Sequence, residues 1–212
     1  MAEEILFFHS PQTRSSGVLN LFKELDVPYT LKLLNSRKGA LDTEEYKLIN
    51  PMRKVPALQH RGSTITEQPA IYTYLADLFP EKKLAPTLND PMRGEYLRWM
   101  SFYGSSFEPA VIDKSMKLAP AAHSSSPYGD FETTINCILG HLEKMASKGP
   151  FWLGKKFTAL DVLWGNALTW IIGFGLVDKH PLFDAYLKVI SARPAFNWAQ
   201  AKDLELLKSF ES

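Results

Sequence analysis

Two patterns of hydrophobic and polar positions divide the chain. Up to about residue 80, short apolar runs alternate with helical stripes; beyond about residue 90 only helical stripes remain. Ile5-Leu6-Phe7-Phe8 is a continuous apolar run of strand length, the pattern of a strand covered on both faces. It stops at His9-Ser10-Pro11. Val18, Leu21, Phe22 and Leu25 then recur at i, i+3, i+4 and i+7, which predicts an amphipathic helix. Asp26-Val27-Pro28 ends it, because the residue before a proline avoids helical geometry. Tyr29 to Leu34 predicts a second strand, and the crossover makes the two strands parallel neighbours. A basic, glycine-containing loop from Asn35 to Leu41 leads to a short helix over Thr43 to Leu48. Asn50 to Ile71 reads as a loop, a strand, a tight turn, a second strand and a helix start. Ile71, Tyr74, Leu75 and Leu78 form that helix's stripe, which ends before Pro80.

The segment from Glu81 to Asp90 is charged and then rich in Pro, Leu and Asn, and reads as a linker. Met92 to Leu118 is a long helical segment carrying Tyr96, Trp99, Phe102, Tyr103 and Phe107, with Pro109 expected to kink or break it. A loop over Ala119 to Gly129 precedes a helix over Phe131 to Ala146. Thr158-Ala159-Leu160-Asp161 fits a capping box before the apolar run Val162 to Phe174. Two more helices are predicted over Pro181 to Ala192 and Ala195 to Phe210, separated by Arg193-Pro194. The fold class is therefore α/β followed by all-α: a β-α-β-α-β-β-α domain over 1–80, a linker over 81–90 and a helical domain over 91–212.

Composition narrows the function classes. The chain has 212 residues, a net charge of +1, 45% hydrophobic and 22% charged residues, as ordinary globular proteins do. No basic surplus points to nucleic acid. No apolar stretch approaches the roughly 18 residues of a membrane span, and the acidic N-terminus lacks the features of a signal peptide, so a cytoplasmic protein is expected. The single cysteine, Cys137, excludes an internal disulfide framework. Its neighbours Ile135, Ile138 and Leu139 suggest a buried, inert thiol. The histidines show no metal spacing, and no phosphate- or dinucleotide-binding glycine motif is present.

Candidate chemistry lies in Asn50 to Ile71. Pro56 has no N–H to give a sheet, so it belongs at a strand start or bulge. A cis Val55–Pro56 bond would turn the Val55 N–H and C=O outward. Glu67-Gln68-Pro69 places a proline in the first turn of a helix, whose N–H groups favour an anion. A turned-out backbone edge beside a helix N-terminus can hold a small peptide by its main chain and its carboxylate.

Asn-Pro-Met-Arg-Lys-Val-Pro-Ala-Leu (50–58) resembles the loop before the cis-proline of cytosolic glutathione transferases. Glu67-Gln68 is similar to the pair that family uses on the glutamyl end of glutathione. Phe157 to Val162 resembles its helical-domain capping motif, and Arg193-Pro194-Ala195 its late helix break. The resemblance covers nearly the whole chain, with beta-, theta- and zeta-like features. It implies a thioredoxin-like N-terminal domain that holds glutathione as co-substrate, with no permanent cofactor. It also implies a helical domain that holds a small apolar electrophile, a homodimer, and detoxifying conjugation. Val55 would pair its backbone with the cysteinyl part of glutathione, beside Pro56. Glu67 would meet the glutamyl ammonium and Gln68 the glutamyl carboxylate, through its side chain or its backbone N–H. Lys54, with Lys38 or Arg37, would face the glycyl carboxylate. Tyr103 and Phe107, at i and i+4, are the candidates for the second-substrate pocket.

Such a reaction needs a thiolate. Lowering a thiol pKa by about 2 units takes about 2.7 kcal/mol. A hydrogen bond to a charged group supplies roughly 1.5–3 kcal/mol. A helix N-terminus adds roughly 0.3–1 kcal/mol. One hydroxyl at the start of the first helix therefore suffices. Ser10 to Ser16 offers Ser15 first, Ser10 second and Thr13 third, and Arg14 could act by charge. In a gapless comparison, Arg14 stands where beta-like members have their cysteine and His9 where they have a tyrosine. Glutathione-dependent isomerisation or disulfide reduction on the same fold is a rival, as is a non-enzymatic glutathione-binding scaffold.

Overall fold

A computed structural model describes residues 4–118 and 127–211; most of the loop expected over 119–129 lies outside them. The chain divides into two compact units, residues 1–82 together with 193–212, and residues 83–192. The last helix groups with the first unit.

In the first unit, β1 (Leu6–His9), β2 (Thr30–Leu33), β3 (Ala57–His60) and β4 (Ser63–Ile65) form a sheet of order β2-β1-β3-β4. β1 runs parallel to β2 with Phe7 opposite Leu31, and antiparallel to β3 with Phe7 opposite Leu58. The continuous apolar run thus becomes a central strand, with Phe7 and Phe8 buried. α1 (Ser16–Leu25) buries Val18, Leu19, Leu21, Phe22 and Leu25. It ends at Asp26, whose left-handed backbone lets its N–H reach the Phe22 carbonyl at 2.9 Å. The β3–β4 hairpin turns on Arg61 and Gly62, both at positive φ (53° and 73°), which suits a two-residue turn matching the strands' twist. α2 (Glu44–Ile49) and α3 (Gln68–Leu78) complete the thioredoxin-like order, and α9 (Pro194–Lys208) joins the same unit. Arg193, at the start of α9, makes a two-point ion pair with Glu24 of α1 at 2.6 Å for each bond.

The second unit contains α4 (Arg93–Phe102), α5 (Glu108–Ser115), α6 (Phe131–Ala146), α7 (Ala159–Gly173) and α8 (Pro181–Ser191). Between α4 and α5 the helix widens into a π turn over Tyr103–Phe107. Pro109 explains the position. It cannot donate to the carbonyl of Ser105, and its ring would collide with that carbonyl in a regular helix. Widening the turn moves the carbonyl away, so the chain bulges before the proline instead of breaking at it.

The core of this unit is aromatic. Trp152 and Trp164 stack at 4.5 Å, and Trp99, Tyr103 and Phe107 pack against Trp164 at 5.1–5.8 Å between ring centroids. Tyr103 and Phe107 are 2% and 1% exposed. The expectation that they line a second-substrate pocket is corrected: they fill the core and leave no surface for a ligand. Cys137 is also corrected. It is exposed on α6, whose buried face carries Ile135, Ile138, Leu142 and Met145. Residues adjacent in a helical sequence do not share a face. At the start of α7, Asp161 accepts from the Thr158 N–H (2.8 Å), the Trp152 N–H (2.6 Å), and the hydroxyls of Thr158 and Tyr186 (3.2 Å each).

Candidate functional site

The end of β1, the start of β3 and the end of β4 lie at one end of the sheet in the first unit, and the segments named from the sequence there are Ser10–Ser16, Lys54–Pro56 and Glu67–Gln68. The Val55–Pro56 peptide bond is cis. The loop before it is pinned from two sides, since the Tyr46 hydroxyl (2.7 Å) and the Asn50 amide (2.9 Å) both donate to the Lys54 carbonyl. Burial pushes the Tyr46 phenol up to about 12, so it stays a donor through the neutral range. Val55 packs on the small apolar cluster of Phe8, Tyr46 and Ala57, while Lys54 points into solvent.

Glu67 precedes α3 with φ 62° and ψ 121°. This lies outside the ordinary left-handed well, and for a residue with a Cβ it costs about 1–3 kcal/mol. Glu67 is exposed at the N-cap position, directly before the first-turn amides of α3, and makes no side-chain capping bond to them. Gln68 is nearly buried, and its side-chain amide donates to the Arg14 carbonyl at 2.9 Å. Its side chain is therefore committed inward, which leaves its backbone as the anion-facing part. The same bond ties the start of α3 to the segment Ser10–Ser16.

The loop over 35–41 is tied to that segment as well. Ser10 Oγ donates to Ser36 Oγ at 2.8 Å, and Arg37 donates to Gln12 at 2.5 Å. Lys38, one residue on, is exposed. The structure thus gathers Glu67, Gln68, Arg14 and the hydroxyl segment, with the Arg37–Lys38 loop alongside.

Within the segment the ranking of hydroxyls changes. Ser15 is 0% exposed. Its Oγ lies 2.7 Å from His9 Nδ1, 2.7 Å from Thr13 Oγ1, 3.0 Å from the Ser10 carbonyl and 3.1 Å from the Ser10 N–H. It makes no capping bond to α1. The expectation that Ser15 meets the sulfur directly is corrected, because every direction around its oxygen is occupied by protein. Ser10, 1% exposed, is engaged with Ser36 and is corrected for the same reason. Thr13 is half-buried, and its hydroxyl donates to the Ser10 carbonyl at 2.7 Å. Arg14 is half-buried next to it.

Asp203 of α9 was not anticipated. Its carboxylate accepts from the Gln12 N–H (2.9 Å) and the Ser16 hydroxyl (2.6 Å), and lies 3.3 Å from His9 Nε2. Burial works against its charge, but the bonds from His9, Ser16 and Gln12 prevail and hold the carboxyl below its ordinary value. The sequence carried a signal for it. Asp203 stands among the buried positions Phe196, Ala199 and Leu206, and an acid on a buried helical stripe requires a partner.

Residues 13–78 match the family model described as glutathione S-transferase, N-terminal domain. A glutathione S-transferase of Hyoscyamus muticus is 24% identical over 193 residues, spanning 87% of this chain and 90% of that one. The structure of a sphingomonad glutathione S-transferase complexed with glutathione is 27% identical and superposes with a TM-score of 0.74, over 93% of this chain and 98% of that one. Residues 13–78 therefore carry a domain of the glutathione S-transferase N-terminal type, and the chain as a whole shares the fold of the sphingomonad transferase. Its subfamily is open, since a Drosophila melanogaster protein named probable maleylacetoacetate isomerase 1 is 33% identical over 74% of this chain and 65% of its own length. In this transferase fold no described helix is long and apolar enough to cross a membrane.

Proposed function

We infer that the protein is a glutathione transferase that binds glutathione in its first unit, favours the thiolate and conjugates it to apolar electrophiles. The observation that carries this reading is the Gln68–Arg14 bond, which sets a helix N-terminus beside a hydroxyl-bearing loop. The exposed Glu67 carboxylate suits an ammonium group, and the α3 amides beside it suit a carboxylate. The backbone of Val55, next to Pro56, offers a peptide edge. Lys54 and Lys38 supply positive charge for a second carboxylate. Thr13, half-buried where Ser15 and Ser10 are buried, is the hydroxyl best placed to exchange a protein partner for the sulfur, with the Arg14 guanidinium adding charge. The family's homodimeric assembly is part of the same reading.

The deciding experiment measures the thiol pKa of glutathione bound at saturation, by ultraviolet thiolate absorbance, together with turnover of a chloronitrobenzene electrophile. A bound thiol pKa equal to that of free glutathione rejects the transferase reading, however tight the binding. Thr13→Ala should lower kcat/KM by roughly 10- to 100-fold, the equivalent of a charge-assisted hydrogen bond, while Thr13→Ser keeps most of it. Equal losses in both variants would remove Thr13 from the sulfur contact. A second reading, glutathione-dependent isomerisation, is favoured by the likeness to the Drosophila protein. It differs in leaving the glutathione concentration constant during turnover.

A further inference from the structure

The chain between β1 and α1 passes through a backbone conformation that it does not hold by itself. Gln12 lies at φ 57°, in the left-handed region that a residue with a Cβ seldom adopts. Such a residue persists where its surroundings over-determine it. Two contacts hold Gln12. Its side-chain carbonyl accepts from Arg37 at 2.5 Å, and its N–H donates to Asp203 Oδ2 of α9 at 2.9 Å. The first contact is exposed, so water competes for it; Asp203 is 7% exposed, so water competes far less for the second. The other oxygen of the same carboxylate, Oδ1, accepts from the Ser16 hydroxyl at 2.6 Å. Gln12 directly precedes the tripeptide Thr13-Arg14-Ser15 and Ser16 directly follows it. One carboxylate therefore brackets the tripeptide, with one oxygen on each side. Held below its ordinary value, that carboxyl stays ionised at neutral pH and accepts from both donors at once.

We propose that Asp203 is a positioning residue for thiol activation: by holding Gln12 and Ser16 it fixes where Thr13 presents its hydroxyl to glutathione. Inside the bracket, the Thr13 hydroxyl donates to the Ser10 carbonyl at 2.7 Å and lies 2.7 Å from Ser15 Oγ. To meet a thiolate, its O–H turns about the C–O bond from that carbonyl to the sulfur. No covalent bond changes, and the thiol's own proton leaves to solvent. The step needs the Thr13 backbone to stay in place. Without Asp203, Gln12 relaxes toward negative φ, and Thr13, the next residue, turns with it. The groups that would hold the rest of glutathione, the Val55 backbone and the start of α3, lie on other segments. The loss therefore falls on the sulfur more than on affinity.

The consequence for the thiol rests on the transferase reading, but the hold on the segment is tested without it. Asp203→Ala and Asp203→Asn both remove the carboxylate charge. The asparagine amide still accepts from the Gln12 N–H and donates to the Ser16 hydroxyl oxygen. A difference between the two variants therefore reports the hydrogen bonds and not the charge. The first arm is amide hydrogen exchange followed by NMR on the full chain. The Gln12 amide should exchange about tenfold faster in Asp203→Ala than in Asp203→Asn, and equal exchange overturns the proposal. The second arm is the thiol pKa of saturating bound glutathione. It should lie about one unit higher in Asp203→Ala than in Asp203→Asn, a roughly tenfold loss of thiolate at equal occupancy. The glutathione Kd should differ by less than about threefold between the two. Equal thiol pKa values, or a loss of affinity as large as the loss of thiolate, also overturn the proposal. If Asp203→Ala does not fold, Ser16→Ala removes one of the two bonds and should raise the bound thiol pKa by about half a unit; no shift there overturns it. If the unsubstituted protein fails to lower the thiol pKa at all, the transferase reading falls, and the exchange result alone then decides whether Asp203 holds the segment.

Discussion

Replacing Asp161 by alanine tests how the helical unit is held together. In the native unit this carboxylate accepts four hydrogen bonds, two of them from the backbone N–H groups of Trp152 and Thr158. Trp152 and Thr158 are 0% and 3% exposed, so water cannot take over as acceptor. Leaving a buried donor unsatisfied costs about 1–3 kcal/mol, so the two amides together put the loss at about 4 kcal/mol. The Thr158 bond is also the capping bond of α7, and its value lies within that sum. The assay is urea unfolding followed by tryptophan fluorescence, since Trp152 and Trp164 stack within this core. With an m-value of about 2–3 kcal/mol per molar, the midpoint should fall by about 1–2 M with little change in slope. A loss below about 1 kcal/mol would refute the reasoning, because the buried amides would then have found other acceptors.

The same residue makes a pH prediction whose sign runs opposite to the usual carboxylate. Burial, acting against four hydrogen bonds, pushes the Asp161 carboxyl up to about 6 in the folded protein. The unfolded value is about 3.9. Between these the native state binds a proton that the unfolded state does not, so stability is highest below about pH 4 and falls as pH rises to about 6. Two units correspond to about 3 kcal/mol. Asp161→Asn cannot titrate and should lose this slope. An unchanged slope in the variant would assign the effect to other groups.

Gly165→Ala would place a Cβ 2.6 Å from Ile190 Cγ2, across the packing of α7 on α8. The expected cost is about 1–3 kcal/mol in urea unfolding, and it should shrink in an Ile190→Ala background. Cys137 should react with a thiol-specific disulfide reagent at a rate in the native protein close to that in urea; strong native protection would contradict its exposure on α6.

The elements were legible where periodicity was strong and uninterrupted. The helix expected over Phe131 to Ala146 is α6 residue for residue, and the apolar run at Ile5 to Phe8 became the central strand with a shift of one. Periodicity carries no information wherever a polar or aromatic residue's neighbours lie far along the sequence. Tyr103 and Phe107 share a helical face, but spacing does not say whether that face meets a core or a cavity. The π turn compounds this, because one extra residue in a turn rotates the side chains that follow by about 100° from the regular phase. Ser15 ranked first as a hydroxyl at the helix start because spacing does not show its partners, His9 and the Ser10 backbone, which come from the end of a strand.

The grouping of α9 with the first unit is the instructive case. No local pattern links Asp203 to His9 across the whole helical unit. Yet each breaks the pattern of its own element: a histidine closes an apolar central strand, and an acid occupies a buried helical stripe. Burying either without a partner would cost several kcal/mol. Two such polar anomalies constrain each other, since each places a polar group against the other's burial. The same pairing explains why the segment Ser10–Ser16 holds a defined shape without regular structure. Asp203 fixes the Gln12 N–H and the Ser16 hydroxyl, and His9 fixes Ser15 between them. The loop that would face the sulfur is therefore held from behind by a helix more than 180 residues away in the chain, so substitutions in α9 should register in thiol chemistry before they register in glutathione affinity.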